Sequence, residues 1–389
     1  MYRLVDFCRW MWHFLYALTA TLRYMWWYRH LTIIAVTGTD GKSSTVLLAA
    51  EYLRSAGFRV AHYSSISIHN GETVQVNRYK MTMPGRGALH RFLAEASKQG
   101  ATHAVVEVTS EGILQSRQIG IRFSVVAFTN ITPEHIQRHG SFQQYAATKL
   151  RLVRNLKRGS GVIVWNASDA TLQRCRKVFD AYKNVAVIEK TVAYTYEYFT
   201  LVNQNFAQAI VMACLGELPA HPIDFSRIPQ FVIPGRMQVF TTAEKTVVVD
   251  YAHTIHAVEL CLKIVRAKTS GRVIHVFGAA GGGRDSYKRP TLAHLSETYA
   301  DIHIVTEENS FDEPTEQILE AIMAGFVIGH PVHRIPNREA AVTYALSLAG
   351  PNDTVICTAK GSEVVIAGPG RSFRAYDERL FISLCLGIN

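Results

Sequence analysis

The chain has 389 residues, 48% of them hydrophobic and 19% charged, with a formal charge of +10. That length exceeds one ordinary core and implies two domains or three, and the balance of residue types excludes an intrinsically disordered chain. The basic residues form no dense run, so the charge points to anionic substrates or an anionic membrane surface and away from nucleic acid.

The first segment is aromatic. Four of the five tryptophans precede Tyr28, among Arg3, Arg9, Arg23 and Arg29. Its longest uncharged stretch, Trp10 to Leu22, is shorter than the roughly 20 apolar residues that cross a bilayer. It also lacks the small-residue cleavage site of a secretory signal. Two readings of residues 1–30 stay open: an interfacial membrane anchor edged by arginine, or a helix packed across the next domain to cover apolar surface. The six cysteines show no C-x-x-C spacing, so neither zinc nor a disulfide framework is indicated, and a reducing cytosolic compartment is expected.

From residue 31 the pattern is α/β. "LTIIAVTG" (31–38) is a β-branched apolar run that reads as a buried parallel strand, followed by "KSSTVLLAAEYLRSAG" as a helix stopped at Gly57. "HAVVEV" (103–108), "FSVVAFTN" (123–130) and "GVIVW" (161–165) repeat the strand pattern with helices between, which implies a mainly parallel sheet. "IPQFVIPGRMQVF" (228–240) breaks the series and sets a domain boundary near residue 234. A second series follows with "TVVVDYAH" (246–253), "RVIHVFGAAGGGRD" (272–285), "DIHIVTEEN" (301–309) and "DTVICTAKGSE" (353–363). The expected organisation is 1–30 as the aromatic segment, 31–233 as an ATP-binding domain and 234–389 as a second α/β domain.

The turn after the first strand carries chemistry. G-x-x-G-K-S, Gly38 to Ser43, is shorter than the Walker loop because Val36 stands where its first glycine would. A glycine turn between strand and helix still presents backbone amides and a helix N-terminus to phosphate, with Lys42 for the β/γ phosphates and Ser43 for Mg²⁺. Ligands bind beyond the carboxyl ends of parallel strands, and two later strand ends are polar. "VVEVTSEG" places Glu107 in a buried strand, where a carboxylate needs a partner or a metal, and Thr109, Ser110 and Glu111 at its end. "FTNITPEHIQRHGSFQQYAATKL" supplies Asn130, His135, His139 and Lys149. Read alone, the two histidines fit surface or core roles, and Lys149 a solvated helix charge.

Together these motifs resemble the Mur ligase family, on the branch that adds the third residue of the peptidoglycan stem peptide. "TGTDGKSS" is similar to the family's T-G-T-N-G-K-[TS]-[ST], "EVTSE" to E-V-S-S-H, and "TNITPEHIQRHG" to T-N-x-x-x-D-H-L-D-x-H-G. Lys149 stands where the family carries a carbamylated lysine. "NASD" (166–169), "PGRMQVF", "VVVDYAHT", "FGAAGGGRDSYKRP" and "KGSE" (360–363) continue the resemblance to the C-terminus.

The resemblance implies a P-loop ATPase domain with a mainly parallel sheet and a Rossmann-like C-terminal domain. It implies ATP-dependent amide formation through an acyl phosphate, with ATP and two Mg²⁺ ions, a muropeptide-like acceptor and an amino acid as partners. Gly38, Thr39, Asp40, Gly41, Lys42, Ser43 and Ser44 would bind nucleotide, with Asn205 at the adenine, Arg236 at the γ-phosphate, and Asp250 and His253 from the second domain. Ser43 and Glu107 would bind one metal ion, and His135 with carbamylated Lys149 the other. Thr82, Ser110, Gln115 and Arg117 would hold the acceptor; Arg284, Asn309, Gly361 and Glu363 would receive the amino acid. Because both domains contribute, closure would gate the chemistry.

Three departures bear on the acceptor and the amino acid. Where the family has a domain gripping a uridine nucleotide, this sequence has the aromatic segment, which leaves two readings open: the same acceptor held without that grip, or a different acceptor such as a lipid-linked one at the inner membrane face. The acid-Asn-Pro-Arg motif of diaminopimelate selection reads "ENSF", Glu308 to Phe311, without its arginine. Glu111 and Met83 replace a histidine and a threonine of the family's acceptor motifs. Alternatives are a folylpolyglutamate or poly-γ-glutamate type ligase, disfavoured by "DYAHT" and "KGSE", and an inactive nucleotide-binding scaffold, disfavoured by Lys42, Glu107, His135 and Lys149 standing together.

Overall fold

The computed structural model describes residues 2–77, 82–85, 87–182, 184–188, 198–215, 232–283, 285–327 and 331–388. The chain divides into two compact units, the first mainly Met1–Val192 with Thr200–Phe231 and the second mainly Val232–Asn389.

The first unit is built on an eight-stranded sheet in the order β4-β3-β2-β5-β1-β6-β7-β8. Its strands are β1 (Thr32–Thr37), β2 (Val60–Tyr63), β3 (Ser67–His69), β4 (Val74–Val76), β5 (His103–Glu107), β6 (Val125–Phe128), β7 (Val162–Asn166) and β8 (Val185–Ile188). From β2 to β8 neighbours run parallel, while β3 and β4 add an antiparallel edge. Ile33, Ile34, Ala35 and Val36 are buried because helices cover both faces of such a sheet. Registry with β5 sets Val36 beside Glu107, and registry with β6 sets Thr37 beside Phe128. The loop after β1 therefore emerges between the ends of β5 and β6, the switch point where ligands bind.

The N-terminal helix, Tyr2–Tyr28, lies along the helix Ala88–Lys98. Ala17, Ala20, Thr21 and Tyr28 form its buried stripe at helical spacing, and the Tyr28 hydroxyl meets His90 Nδ1 at 2.8 Å. Its opposite side carries exposed Trp12, Leu15, Leu22 and Trp26. The packed-helix reading thus describes one side of the helix and leaves the other aromatic and bare. Among the described residues no helix is long and apolar enough to cross a membrane.

The second unit has a six-stranded sheet in the order β13-β12-β11-β14-β10-β9. These are β9 (Gln238–Thr241), β10 (Thr246–Val249), β11 (Val273–Phe277), β12 (Ile302–Val305), β13 (Val332–Arg334) and β14 (Thr354–Cys357), parallel except for β9. A hairpin of β15 (Val365–Ala367) and β16 (Phe373–Ala375) stands apart. The loops leaving β10, β12 and β14 carry the residues singled out from sequence.

Candidate active site

In the first unit the glycine turn closes tightly over the end of β6. A β-carbon on Gly38 would lie 1.8 Å from Thr129 Oγ1 and 3.1 Å from the Asn130 backbone, so only glycine fits. Gly38→Ala is expected to lower stability by ~1–3 kcal/mol, the usual cost of overpacking. It should also abolish the thermal shift produced by nucleotide; a wild-type shift would show that the turn can open without loss.

Asn130 braces this turn. Its Oδ1 accepts from the Thr39 amide at 3.1 Å and the Asp40 amide at 2.8 Å, and its Nδ2 donates to Asp40 O at 3.1 Å. Thr129 Oγ1 donates to the same carbonyl at 2.7 Å. Thr39 Oγ1 reaches the Tyr145 hydroxyl at 3.0 Å and Thr132 O at 3.2 Å. The Thr39 and Asp40 amides both hold the turn in shape. The helix Lys42–Ser55 has no side-chain cap at its N-terminus, where amides preceding the first intrahelical bond suit an anion.

Lys42, Ser43 and Glu107 come together as expected. Ser43 Oγ donates to Glu107 Oε2 at 2.8 Å, the Ser65 amide donates to the same oxygen at 3.0 Å, and Lys42 Nζ lies 3.9 Å from Oε1. A buried carboxylate is tolerable here because it is paired and hydrogen-bonded. The hydroxyl and the carboxylate are both hard oxygen donors. Their separation is close to the roughly 3 Å between neighbouring oxygens around Mg²⁺ with ~2.1 Å bonds, so the pair fits such an ion. Ser65, which also meets Ser43 Oγ at 2.7 Å, was missed because nothing in "HYSSIS" marks it.

Lys149 is fully buried, its Nζ donating to Gly38 O at 2.6 Å over the Tyr145 ring. Burial, reinforced by Lys42, holds its pKa well below the ordinary lysine range. It is therefore not the solvated helix charge that the residue alone suggested. His139 is buried with Nε2 at 3.1 Å from Ser110 Oγ, and burial together with Lys149 lowers its pKa. His135 is exposed, in the left-handed backbone region, its ring 6.2 Å from that of Tyr145. Tyr145, unmarked by any motif, touches Thr39, Lys149, His135 and His139. The second proposed ligand set is not assembled in this form, since Lys149 presents a donor.

At the acceptor positions Arg117 donates to Gln115 Oε1 at 3.0 Å and to the carbonyl of Met83. Met83 is buried, its sulfur over Gly112, and Glu111 pairs with Arg138 at 3.1 Å on the surface. Thr82 is half-buried beside them. Asn205, expected at the adenine, is exposed. Asn203 is instead the buried one, with Oδ1 at 3.4 Å from Thr45 Oγ1 and against Gly41. The two asparagines stand two residues apart, about half a turn around the helix.

In the second unit Arg236 lies over the Tyr251 ring, 4.4 Å from its centre. Asp250 is buried, accepting from the Met237 amide through Oδ2 and the Ala252 amide through Oδ1, both at 2.6 Å. Burial raises its pKa and Arg236 opposes that rise. Asp250 thus positions the arginine loop. His253 donates Nδ1–H to Tyr251 O at 2.9 Å when neutral, which leaves Nε2 as acceptor. A β-carbon on Gly361 would lie 2.6 Å from Gly235 O, so the loops bearing Arg236 and "KGSE" meet backbone to backbone. Lys360, quoted in the motif but not assigned, is buried and donates to Glu363 Oε2 at 2.5 Å, Val365 O at 2.8 Å and Asn309 Oδ1 at 3.2 Å. Asn309 Nδ2 donates to Glu363 at 2.9 Å, while burial and Glu363 raise the pKa of Glu308. Arg284 lies outside the described residues.

Comparison with known proteins gives a consistent picture. Residues 36–212 match the Mur ligase middle domain and residues 235–361 the Mur ligase glutamate ligase domain. The chain is 33% identical over 363 residues to the UDP-N-acetylmuramoyl-L-alanyl-D-glutamate–2,6-diaminopimelate ligase of Synechococcus elongatus, covering 86% of this chain and 72% of that protein. The Aquifex aeolicus protein of the same name is 30% identical, covering 86% and 73%. A solved ligase of that name superposes with a TM-score of 0.58 at 28% identity, over 92% of this chain and 78% of its own. The Mycobacterium tuberculosis folylpolyglutamate synthase superposes with a TM-score of 0.70 at 16% identity, over 88% and 92%, which is a likeness of fold.

Proposed function

The chain belongs to the Mur ligase family of ATP-dependent, ADP-forming ligases, and from that membership we propose that it joins an amino acid to the carboxylate of a muropeptide-like acceptor. The observation that carries this reading is the cluster of Lys42, Ser43, Glu107 and Lys149 around one braced glycine turn. In the proposed reaction the acceptor carboxylate attacks the γ-phosphorus and ADP departs, leaving an acyl phosphate. The amine of the amino acid then attacks the acyl carbon, phosphate leaves, and the nitrogen gives up a proton.

Lys42 and the first-turn amides hold the β and γ phosphates in line, and Arg236 adds charge at the γ-phosphate. The unprotonated Lys149 amine is the form that adds to CO₂; the carbamate formed, with release of a proton, turns a donor into an oxygen ligand. Mg²⁺, one ion held by Ser43 and Glu107 and a second by His135 with the Lys149 carbamate, would supply neutralisation of phosphate charge. His253 and Asn203 remain for the nucleotide, Ser110, Gln115 and Arg117 for the acceptor, and Asn309, Gly361 and Glu363 for the amino acid. The relatives are named for 2,6-diaminopimelate; here Phe311 stands where the motif has arginine, which favours an amino acid with no distal carboxylate to clamp. We place the enzyme on the cytoplasmic side, with residues 1–30 contacting the membrane surface.

The test is amino-acid-dependent phosphate release from ATP, with UDP-linked and lipid-linked muramoyl dipeptides as acceptors. Release that requires both a dipeptide and an amino acid supports the reading. ATP turnover absent with every pair would leave a nucleotide-binding scaffold in its place.

A further inference from the structure

The outward side of the N-terminal helix is unlike an ordinary solvated helix face. Trp12 and Trp26 are 63% exposed and Leu22 65%, and Met11, Leu15 and Leu18 lie on the same side at helical spacing. Cations ride on the aromatic rings: the Arg29 guanidinium lies 4.8 Å from the Trp26 ring centre and Lys98 Nζ 4.3 Å from that of Trp27. Arg23 similarly sits 5.4 Å from the Tyr24 ring. From Met11 to Leu31 the sequence has no acidic residue.

We infer that this face is an in-plane docking surface for an anionic lipid bilayer, and that it presents the acceptor-binding segments to that bilayer. The charge pattern decides between occupants. A second copy of the chain would pair this patch with itself across a two-fold axis, setting Arg23 and Arg29 against like charges with no carboxylate between Met11 and Leu31 to relieve them. Anionic headgroups meet the same cations favourably, while the indole rings and leucines enter the acyl boundary. A spanning role is excluded for this helix by its length of apolar sequence.

The inner side of the helix touches both acceptor segments. A β-carbon on Gly87 would lie 2.5 Å from that of Ala20, and one on Gly120 would lie 2.1 Å from Thr21 Cγ2. Thr21 Oγ1 also meets Ile119 O at 3.0 Å. Gly87, five residues after Thr82, and Ile119 and Gly120, just after Gln115 and Arg117, are thus fixed to the helix, about one helix diameter (~10 Å) from its outer face. This placement of an acceptor rests on the ligase reading above; the bilayer contact does not.

The experiment is co-sedimentation of the full chain, without substrates, with vesicles of phosphatidylglycerol and phosphatidylcholine or of phosphatidylcholine alone. Binding to the anionic vesicles, with a blue shift of tryptophan emission, is expected to fall at least tenfold in Trp12→Ser/Leu22→Ser/Trp26→Ser and in Arg23→Glu/Arg29→Glu. Both variants should keep the wild-type melting temperature, because the changed side chains are exposed. Equal binding to neutral vesicles, undiminished binding by both folded variants, or a wild-type dimer that the first variant turns monomeric would each overturn the inference. Vesicle binding by a chain that never releases phosphate would sink the ligase reading and leave the bilayer contact standing.

Discussion

Lys149→Ala is expected to reduce kcat by about 10²-fold or more, the scale seen when one charge-stabilising group is removed from a polar transition state. Formate or acetate at high concentration should restore part of it, because a short carboxylate can occupy the space of the lost carbamate. The hydrogen bond to Gly38 O contributes only ~1 kcal/mol, so the variant should melt near the wild type and still bind nucleotide through Lys42. Labelled CO₂ offers an independent readout: a carbamate carbon resonance in the wild type, absent from the variant. Wild-type turnover by Lys149→Ala would remove the carbamate from the mechanism, whatever the resonance showed.

Asp250→Asn is expected to be nearly as damaging, for a reason of donors and acceptors. Both carboxylate oxygens now accept backbone amides at 2.6 Å. An asparagine must turn its NH₂ toward one of them, which leaves donor facing donor in a buried site. The unsatisfied pair costs ~1–3 kcal/mol, against which the neutral side chain recovers some of the cost of burying a charge. The first effect should prevail, because the amides of Met237 and Ala252 have fixed positions on either side of the arginine loop. Urea unfolding should show a midpoint shift with unchanged slope, and kcat should drop along with stability as Arg236 loses its seat over Tyr251. A fully stable, fully active variant would mean that the loop does not depend on this carboxylate.

The parallel strands β1, β5, β6, β7, β10, β11, β12 and β14 were legible because each is a short apolar run ending in glycine or a polar residue, and burial on both faces leaves no alternation to obscure it, whereas the parallel strands β2, β8 and β13 were passed over. β3 and β4 were passed over although "HNGE" announces a hairpin: Asn70 Oδ1 accepts from the Glu72 and Thr73 amides at 3.0 and 2.9 Å. β9 was hidden by "PGRM", read as a breaker when the strand starts just beyond it. The cluster of Lys42, Ser43 and Glu107 was readable because topology forces strand ends together. Burial of Asn203 was not foreseen because motif matching is blind to helix faces; its spacing shows it, since Asn203 shares a face with Phe206, Ala207 and Ile210. Tyr145 and Asn130 brace other groups from a distance in sequence, and no local pattern encodes that.

The Asn130 brace has a consequence for how ligand is met. A flexible turn would forfeit about 1–2 kcal/mol of backbone entropy for every residue it fixed on binding. Here Thr39 and Asp40 are already fixed by an amide side chain from the neighbouring strand end. That ordering was completed when the domain folded, so the encounter with phosphate is closer to lock-and-key than to induced fit, and its affinity need not be spent on shaping the loop.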